Sequence, residues 1–207
     1  MKSEKDLFSI SDPCPFCNIA SAFPAPASEP TSSTSSSSST TSRSSDLASC
    51  IPSDADANPE RTSPTSFIVL SSPNVLAFLD ILPMTSGHLL VCSRGHVEKV
   101  QGLSGDEGSS VGFWLPILAR VVSRVTGVTD YNIVQNNGAR AAQVVPHVHF
   151  HIIPRPGTKP ELKNKSWTMF GRGQRDDLDD DEGARLAGEM RAVLREEIET
   201  MGGKPKL

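Results

Sequence analysis

The sequence lacks the features that would direct it to a membrane, to secretion or to nucleic acid. Its first residues contain no apolar core of the signal-peptide type, and no apolar run is long enough to span a bilayer. The formal net charge is −4, so the chain has no basic field for nucleic acid or anionic lipid. We therefore expect a cytoplasmic or nuclear protein that binds neither membranes nor nucleic acid, in which any anionic ligand is held by local groups.

Cysteine is also scarce, with four residues in a chain of 207. This number does not suggest a framework of disulfides, but Cys14 and Cys17 form a close Cys-x-x-Cys pair. Such a pair can supply half of a zinc site, and two further ligands must then come from elsewhere in the chain. Two buried structural cysteines and a redox dithiol are the alternatives, although a redox motif usually accompanies a βαβ unit, which is not evident here.

A polar tract separates this pair from the rest of the chain. Between residues 21 and 66 proline, serine, threonine and alanine dominate, with an unbroken serine and threonine run from Thr31 to Ser42. Such a segment cannot bury enough apolar surface to offset the entropy of ordering it, so we predict a disordered insert, either passive or a platform for phosphorylation. Because loop-closure entropy grows slowly with length, the N-terminal segment 1–20 remains able to dock on the domain that follows.

Strand-forming residues begin at Phe67. The stretches from Phe67 to Leu70 and from Val75 to Leu79 flank a turn, which is typical of a β-hairpin. Three further strands are predicted from His88 to Cys92, from Tyr131 to Asn136 and from Pro146 to Ile153.

A long helix is predicted between the third and fourth strands. Ser104 and Glu107 have the Ser-x-x-Glu spacing of a capping box, and apolar residues recur at helical spacing from there to about Thr126. Gly127 ends the pattern. Pro116 lies inside it and is expected to kink the helix or delay its start, because proline lacks a backbone N–H.

The C-terminal region 158–207 is predicted to be a polar tail followed by a helix. The tail contains Trp167, Met169 and Phe170, and the helix runs from about Asp179 to Met201. Its apolar stripe either packs on the domain or binds a partner; it consists of Leu186, Met190, Val193, Leu194 and Ile198. The predicted fold class is therefore α+β, with a five-stranded antiparallel sheet at 67–157, a long helix packed against it and a C-terminal helix.

Three of the five histidines of the chain alternate with apolar residues in the last strand. Side chains in a strand point to opposite faces with a period of two, so His147, His149 and His151 share one face and Val148 and Phe150 the other. Two of these histidines can ligate one zinc, but three in a row exceed a simple metal site. An imidazole is largely neutral at pH 7 and can also attack an electrophile such as phosphorus.

The ordered set of motifs resembles the histidine triad (HIT) family of nucleotide hydrolases and transferases. The resemblance covers Phe67 to Gly157. The Cys-x-x-Cys pair also matches the family, but it lies N-terminal to this range and is separated from it. It is carried by Gly87 to Val91, Arg94 to Glu98, Asn136 to Gly138, Gln143 and His147 to Arg155.

This resemblance implies a cleavage at the α-phosphate of a purine nucleotide phosphoramidate or a dinucleoside polyphosphate. His149 is then the nucleophile that carries a nucleotidyl intermediate, and His151 and His88 contact the phosphate and the leaving group. Asp80 matches the family position that holds the ribose hydroxyls. The remaining matched positions are Phe78 and Ile81, which line the base pocket, and Asn136 and Gln143, which contact the phosphate side.

The resemblance also implies one structural zinc per chain and a homodimer. Relatives with a Cys-x-x-Cys pair complete the site with two histidines, and the matching ligands here are Cys14, Cys17, His96 and His147. A closed Cys₂His₂ shell leaves no open position, so this zinc supports the fold and does not activate water.

One loop departs from the family pattern. Ala142 and Val144 stand where relatives usually have glycine and a hydroxyl residue, which bears on substrate preference and rate. Two alternatives therefore remain open: a catalytically weakened nucleotide-binding or scaffold protein of the same fold, and a zinc-dependent hydrolase that uses His147 and His149 as ligands.

Overall fold

The computed structural model describes residues 14–26, 46–157 and 177–202. The strands are β1 (Ile68–Ser71), β2 (Val75–Leu79), β3 (Leu89–Ser93), β4 (Tyr131–Gln135) and β5 (His149–Pro154). The helices are α1 (Pro15–Ala22), α2 (Gly105–Thr126) and α3 (Asp180–Gly202), with short 3₁₀ turns at Pro59–Arg61, Val100–Gly102 and Ala139–Ala141.

The five strands form one antiparallel sheet in the order β1-β2-β3-β5-β4. Alternation of side chains separates two apolar clusters on its two faces. In β3, for example, Leu89 and Val91 face one cluster while Leu90 and Cys92 face the other. The predicted α+β class with a five-stranded antiparallel sheet is confirmed.

The first face is covered by α2 and α3, which also pack against each other. Leu118 of α2 and Met190 of α3 are completely buried here. The predicted apolar stripe of the C-terminal helix therefore packs on the domain: Leu186, Met190, Leu194 and Ile198 are buried, and Val193 is partly buried against the same core.

Helix α2 begins and ends as its sequence indicates. The Ser104 hydroxyl accepts from the Glu107 N–H, and the Glu107 carboxylate accepts from the Ser104 N–H at 2.9 Å, which closes the capping box. Gly127 ends the helix in a left-handed conformation at φ 68°. The expected delay at Pro116 is wrong, because the helix continues through this residue. Burial of its apolar face outweighs the loss of one backbone hydrogen bond.

The opposite face is covered by α1, which carries the Cys-x-x-Cys pair. Phe16 and Ile19 of α1 are buried against Phe78 and Leu90 of the sheet. Arg94 fixes the end of this helix, because its guanidinium donates to the carbonyls of Ala20 and Phe23 at 3.0 and 3.1 Å. The predicted docking of the N-terminal segment thus has a counterpart in residues 14–26.

The prediction of disorder for 21–66 is wrong for residues 21–26, which include the end of α1 and the buried Phe23, and for residues 46–66, which are folded. Cys50 and Ile51 are buried in the helix-side core, and the Ser71 N–H donates to the Cys50 carbonyl at 2.8 Å. Arg191 of α3 donates to the Asp54 carboxylate at 2.7 Å and to the Ile68 carbonyl at 2.8 Å. These are contacts between distant parts of the sequence, and a local composition does not reveal them. The serine and threonine run lies outside the described residues, as do Trp167, Met169 and Phe170.

Strand β5 begins at His149 and not at Pro146 as predicted. The chain turns just before the strand, where the His147 N–H donates to the Val145 carbonyl at 2.8 Å. The alternation of faces nevertheless holds, since Val148 and Ile152 are completely buried while the three histidine rings lie together on the α1 side. Among the described helices, none is both long enough and apolar enough to cross a membrane.

Candidate active site and metal centre

Antiparallel pairing brings the predicted catalytic residues to one place on the α1 side of the sheet. Leu79 pairs with Leu89, so Asp80 and His88 lie opposite each other at the ends of β2 and β3. The Asp80 N–H donates to the His88 carbonyl at 3.0 Å. His151 lies opposite Leu90 on the next strand, which brings its ring next to that of His88.

His149 is held in one tautomer. Its Nδ1 lies 2.6 Å from the His147 carbonyl oxygen, which can only accept, so Nδ1 carries the proton and Nε2 keeps a lone pair. Burial lowers the pKa of His149, while the hydrogen bond to His147 raises it. A neutral imidazole with an unprotonated Nε2 is the form required of a nucleophile.

Asp80, His88 and His151 form a chain of contacts beside this nucleophile. The Asp80 carboxylate lies 3.3 Å from His88 Nδ1, and His88 Nε2 lies 3.0 Å from His151 Nδ1. His88 is completely buried, whereas His151 lines the cavity described below and its ring centroid is 4.9 Å from that of His149. His88 does not line the cavity, and its contact with the phosphate and the leaving group stays a prediction.

A cavity of about 560 Å³ opens in front of His149 and His151. Its apolar wall includes the predicted base-pocket residues Phe78 and Ile81, and Asp80 lies between them. This volume falls within the usual range for a small-molecule site of about 300–1,000 Å³. One polar wall and one apolar wall suit a ligand with a planar apolar end and a charged end.

The two residues predicted to contact the phosphate side, Asn136 and Gln143, have different surroundings in the structure. Asn136 is buried and lines the cavity. Gln143 does not line it, because its amide is engaged with the backbone: its Oε1 accepts from the Gly138 N–H, and its Nε2 donates to the Glu98 carbonyl at 2.7 Å and to the His147 carbonyl at 3.3 Å. Gln143 therefore holds the loop in place, and its contact with a phosphate stays a prediction.

The loop that departs from the family pattern forms part of the cavity wall. Ala142 has a left-handed backbone at φ 63°, a conformation that glycine adopts without a steric penalty. Val144 is 75% exposed and also lines the cavity. Both departures thus lie within reach of a bound ligand.

A second cluster lies behind His149 and contains the four residues predicted to bind zinc. One ligand atom from each lies within 4.8 Å of the others; the residues are Cys14, Cys17, His96 and His147. His147 Nδ1 lies 3.5 and 3.7 Å from the two sulfurs, and Cys17 Sγ lies 3.3 Å from His96 Nδ1. Zinc bond lengths of about 2.3 Å to sulfur and 2.0 Å to nitrogen give a sulfur to nitrogen separation of about 3.6 Å in a tetrahedral site. The four residues fit such an ion.

The hydrogen bonds of His147 also suit metal ligation. Its Nε2 donates to the Ser93 carbonyl at 2.8 Å, which leaves the lone pair of Nδ1 directed at the two sulfurs. Burial lowers the pKa of His147, and burial together with the Cys14 thiol raises the pKa of Cys17 to about 11. A metal cation would supply the charge that stabilises the Cys17 thiolate.

A catalytic zinc held by His147 and His149 is not supported. His149 belongs to neither group of metal-capable side chains found among the described residues; the second such group is Asp80, His88 and His151. The other two cysteines, Cys50 and Cys92, are buried in the two apolar clusters on opposite faces of the sheet.

Several residues of the site were not predicted. Phe16 lies between the two cysteines and packs edge-on against the His149 ring, with centroids 5.2 Å apart. The sequence signal that could have indicated Phe16 is its large apolar side chain between the two cysteines of the Cys-x-x-Cys pair. Residues 62–66 form one wall of the cavity, with Pro64 among them, although their sequence predicts disorder. Ser93 holds His147 through its backbone carbonyl at 2.8 Å and its hydroxyl at 3.3 Å, and no sequence pattern reveals this pairing.

Comparisons with known proteins agree with this geometry. The family model described as the HIT domain matches residues 61–158. The chain is 46% identical over 81 residues to an adenosine 5'-monophosphoramidase of Schizosaccharomyces pombe, which covers 39% of this chain and 58%, less than two thirds, of that relative. It is 39% identical over 113 residues to an uncharacterised HIT-like protein of Methanocaldococcus jannaschii, covering 55% of this chain and 83% of the relative.

A solved structure has the same fold. The crystal structure of a zinc-bound histidine triad family protein from Mycobacterium smegmatis matches with a TM-score of 0.50 and 26% identity, over 63% of this chain and 85% of that one. The family match, the relative covered over most of its length and the shared fold all point the same way: this chain belongs to the HIT family.

Proposed function

We propose that the protein cleaves purine nucleotides at the α-phosphate through a nucleotidyl intermediate on His149. The observation that carries the proposal is the 2.6 Å hydrogen bond between His149 Nδ1 and the His147 carbonyl, at the base of a 560 Å³ cavity. This bond fixes the tautomer in which Nε2 has a lone pair. The name of the S. pombe relative, an adenosine 5'-monophosphoramidase, supports a nucleotide phosphoramidate as substrate.

In the first step His149 Nε2 attacks the α-phosphorus, and the bond to the leaving group breaks. The imidazole ring becomes positively charged as the phosphorus–nitrogen bond forms, and the His147 carbonyl stabilises this charge through Nδ1–H. His151 lies beside His149 and supplies a proton to the leaving group, with the buried His88 and Asp80 behind it. In the second step water attacks phosphorus and gives a proton to His151, which restores the proton that His151 lost in the first step. The bond between phosphorus and His149 Nε2 breaks, nucleoside monophosphate is released, and His149 returns to its neutral form.

The apolar wall and Asp80 give the nucleoside a place in the cavity. Phe78 and Ile81 offer apolar surface to a purine, and the Asp80 carboxylate can accept from ribose hydroxyls. The Cys14, Cys17, His96 and His147 cluster would hold one zinc ion, which supplies a crosslink between α1 and the sheet.

A trapping experiment tests the intermediate. The protein is mixed with an adenosine phosphoramidate labelled at the α-phosphorus, quenched within a single turnover and mapped by peptide digestion. We expect the label on His149, and we expect His149→Ala to form no adduct and to lose activity by about a thousandfold or more. A label on another residue, or full activity of His149→Ala, would contradict the mechanism.

The leaving group is addressed by a direct comparison of substrates. Rates on an adenosine phosphoramidate, on diadenosine triphosphate and on diadenosine tetraphosphate should be measured side by side. We expect the phosphoramidate to be the best of the three, in keeping with the relative of highest local identity described above.

A second candidate function is nucleotide binding without efficient turnover. It is favoured by the left-handed Ala142 and the exposed Val144 in the loop at the cavity. This function predicts that adenosine monophosphate binds tightly while none of the three substrates is cleaved. The main proposal instead predicts cleavage and a labelled adduct on His149.

We also propose that two copies pair along β4. This strand is at the edge of the sheet, and its Tyr131 and Ile133 are 40% and 43% exposed. An unpaired edge with exposed apolar residues is a common surface for pairing with a second chain. Sedimentation should give about twice the 22.2 kDa mass of one chain, and Ile133→Lys should give a monomer. A wild-type protein that sediments as a monomer would contradict this pairing.

A further inference from the structure

His147 belongs to the metal cluster and to the nucleophilic site at the same time. Its ring nitrogen Nδ1 faces the sulfurs of Cys14 and Cys17 at 3.5 and 3.7 Å. Its backbone carbonyl accepts the proton of His149 Nδ1 at 2.6 Å. The ring is anchored at its other nitrogen by the Ser93 carbonyl at 2.8 Å, so a metal ion on Nδ1 would fix the residue from both sides.

Phe16 makes a second connection between the same two sites. It lies between the two cysteines in sequence, and its ring packs edge-on against His147 at 5.7 Å and against His149 at 5.2 Å. A metal ion bound to Cys14 and Cys17 closes a small loop that contains Phe16, and this closure restricts where the Phe16 ring can lie. Edge-to-face contacts of this type are directional, so the ring also restricts the orientation of the imidazole.

These two contacts reach the His149 imidazole from different directions. The His147 carbonyl fixes Nδ1, and the Phe16 ring fixes the plane of the imidazole. Filling space alone would explain the burial of Phe16 against Phe78, with centroids 5.2 Å apart. The T-shaped contacts with His147 and His149 add a direct link from Phe16 to both sites.

We propose that Phe16 and the His147 carbonyl are positioning groups which couple the Cys14, Cys17, His96 and His147 metal centre to the nucleophile His149. This inference rests on the proposed role of His149. A bound metal then does more than crosslink α1 to the sheet, because it sets the fraction of molecules whose His149 is ready to attack. Loss of the metal, or of the Phe16 ring, lowers the rate of adduct formation, while the nucleotide still enters the cavity.

The first test observes His149 directly and needs no substrate. In protein with ¹⁵N-labelled histidine, two-bond correlations identify which ring nitrogen of each histidine carries the proton. Full-length protein is treated with a chelator and then titrated with zinc chloride. We expect zinc to sharpen the His149 signals and to set them in the Nδ1–H form. His96 and His147, which face the sulfurs through Nδ1, should instead take the Nε2–H form. His149 signals that stay the same with and without zinc would overturn the coupling.

The second test uses variants that retain all four metal ligands. Phe16→Leu keeps an apolar side chain but removes the aromatic edge, and we expect kcat to fall about tenfold with little change in KM, since small displacements of a reacting group have effects of this size. Ile19→Ala is the matched control, because Ile19 lies on the same helix and lines the same cavity without an aromatic contact to His149. It should raise KM and leave kcat nearly unchanged.

The second test remains informative if metal removal unfolds the chain, because the Phe16→Leu protein is studied with its metal bound. If Phe16→Leu behaves like Ile19→Ala, with an effect on KM alone, the coupling is wrong. Failure of the proposed function is a separate result: no label would then be trapped on His149, while the zinc titration would still report whether the metal orders its ring.

Discussion

The two faces of the sheet are built on different physical principles. On the helix side, β2, β3 and β5 present aliphatic and aromatic residues to α2 and α3, and the largest cluster of buried residues lies there. On the α1 side, β5 presents His149 and His151 next to a cavity, while β2 and β3 contribute to a second, smaller apolar cluster. In β5 the difference is one residue: Ile152 is completely buried in the core, and His151 next to it lines the cavity.

This difference separates stability from chemistry. A buried aliphatic residue stabilises the fold without a specific partner, whereas a buried imidazole needs a hydrogen-bond partner to offset the loss of water. His88, His147 and His149 are at most 5% exposed, and each has such a partner. The α1 side therefore depends on the rigid core behind it, and changes on the two faces should have different signatures.

The largest effect is expected from Leu118→Ala on the helix side. Leu118 is completely buried, so its truncation should lower the free energy of unfolding by about 3 kcal/mol while kcat at a temperature where the protein is folded stays the same. Chemical denaturation and steady-state rates measure both quantities. Leu115→Ala, at a half-buried position of the same helix, is the control and should lower the free energy of unfolding by a smaller amount. A large loss of kcat in folded Leu118→Ala would contradict the separation of the two faces.

A smaller effect is expected from Glu197→Gln, which weakens the link between α3 and α2. Hydrogen bonds from Arg120 and Arg124, at 2.8 and 2.9 Å, lower the pKa of Glu197. The carboxylate therefore stabilises the fold above its unfolded pKa of about 4.3, and this contribution is lost as pH falls through the lower folded value.

At pH 7 we expect Glu197→Gln to lower the free energy of unfolding by about 1 kcal/mol. The difference between the two proteins should vanish when denaturation is repeated at progressively lower pH. A difference that is independent of pH would mean that packing, and not charge, is responsible.

The smallest effect is expected from Ala142→Gly on the α1 side. Glycine at position 142 removes the steric strain of the left-handed backbone and so stabilises the folded state. Its greater conformational freedom in the unfolded chain acts in the opposite direction. We expect a net gain of about 0.5 kcal/mol in the free energy of unfolding. Thermal denaturation measures the gain, and Ala141→Gly, in the adjacent 3₁₀ turn, should instead lose stability. A lower free energy of unfolding for Ala142→Gly than for the wild-type protein would contradict the expected relief of strain at this position.

Much of this arrangement could be predicted because its signals are local or periodic. The period of two in β5 assigned Phe150 and His149 to opposite faces, and the Ser104 capping box marked the start of α2. Asp80 directly follows β2, and His88 directly precedes β3. Because these two strands pair with each other, the hairpin that they form implied that the two residues lie close together. The family resemblance added the four metal ligands, and the structure brings Cys14 and His147 together although 133 residues separate them.

The parts that could not be predicted depend on contacts between distant segments. Residues 46–66 have too few apolar residues to indicate a fold, yet Cys50 and Ile51 are buried in the helix-side core. Arg191 and Arg195 of α3 hold the same segment through the Asp54 carboxylate and the Pro52 carbonyl. Likewise, the engagement of Gln143 with the backbone follows from the path of its loop. Its residue type alone was equally consistent with contact to a phosphate.

The wide spacing of the four metal ligands has a consequence for the order of folding. Cys14 and Cys17 precede the sheet, His96 follows β3, and His147 comes just before β5, the second-last strand in space but the last in sequence. A growing chain that has not yet reached His147 offers only three of the four residues, and a metal ion is bound less tightly by three than by four. If the cluster binds a metal as proposed, binding would favour chains in which the sheet is nearly complete, and the ion would stabilise the fold only late in assembly.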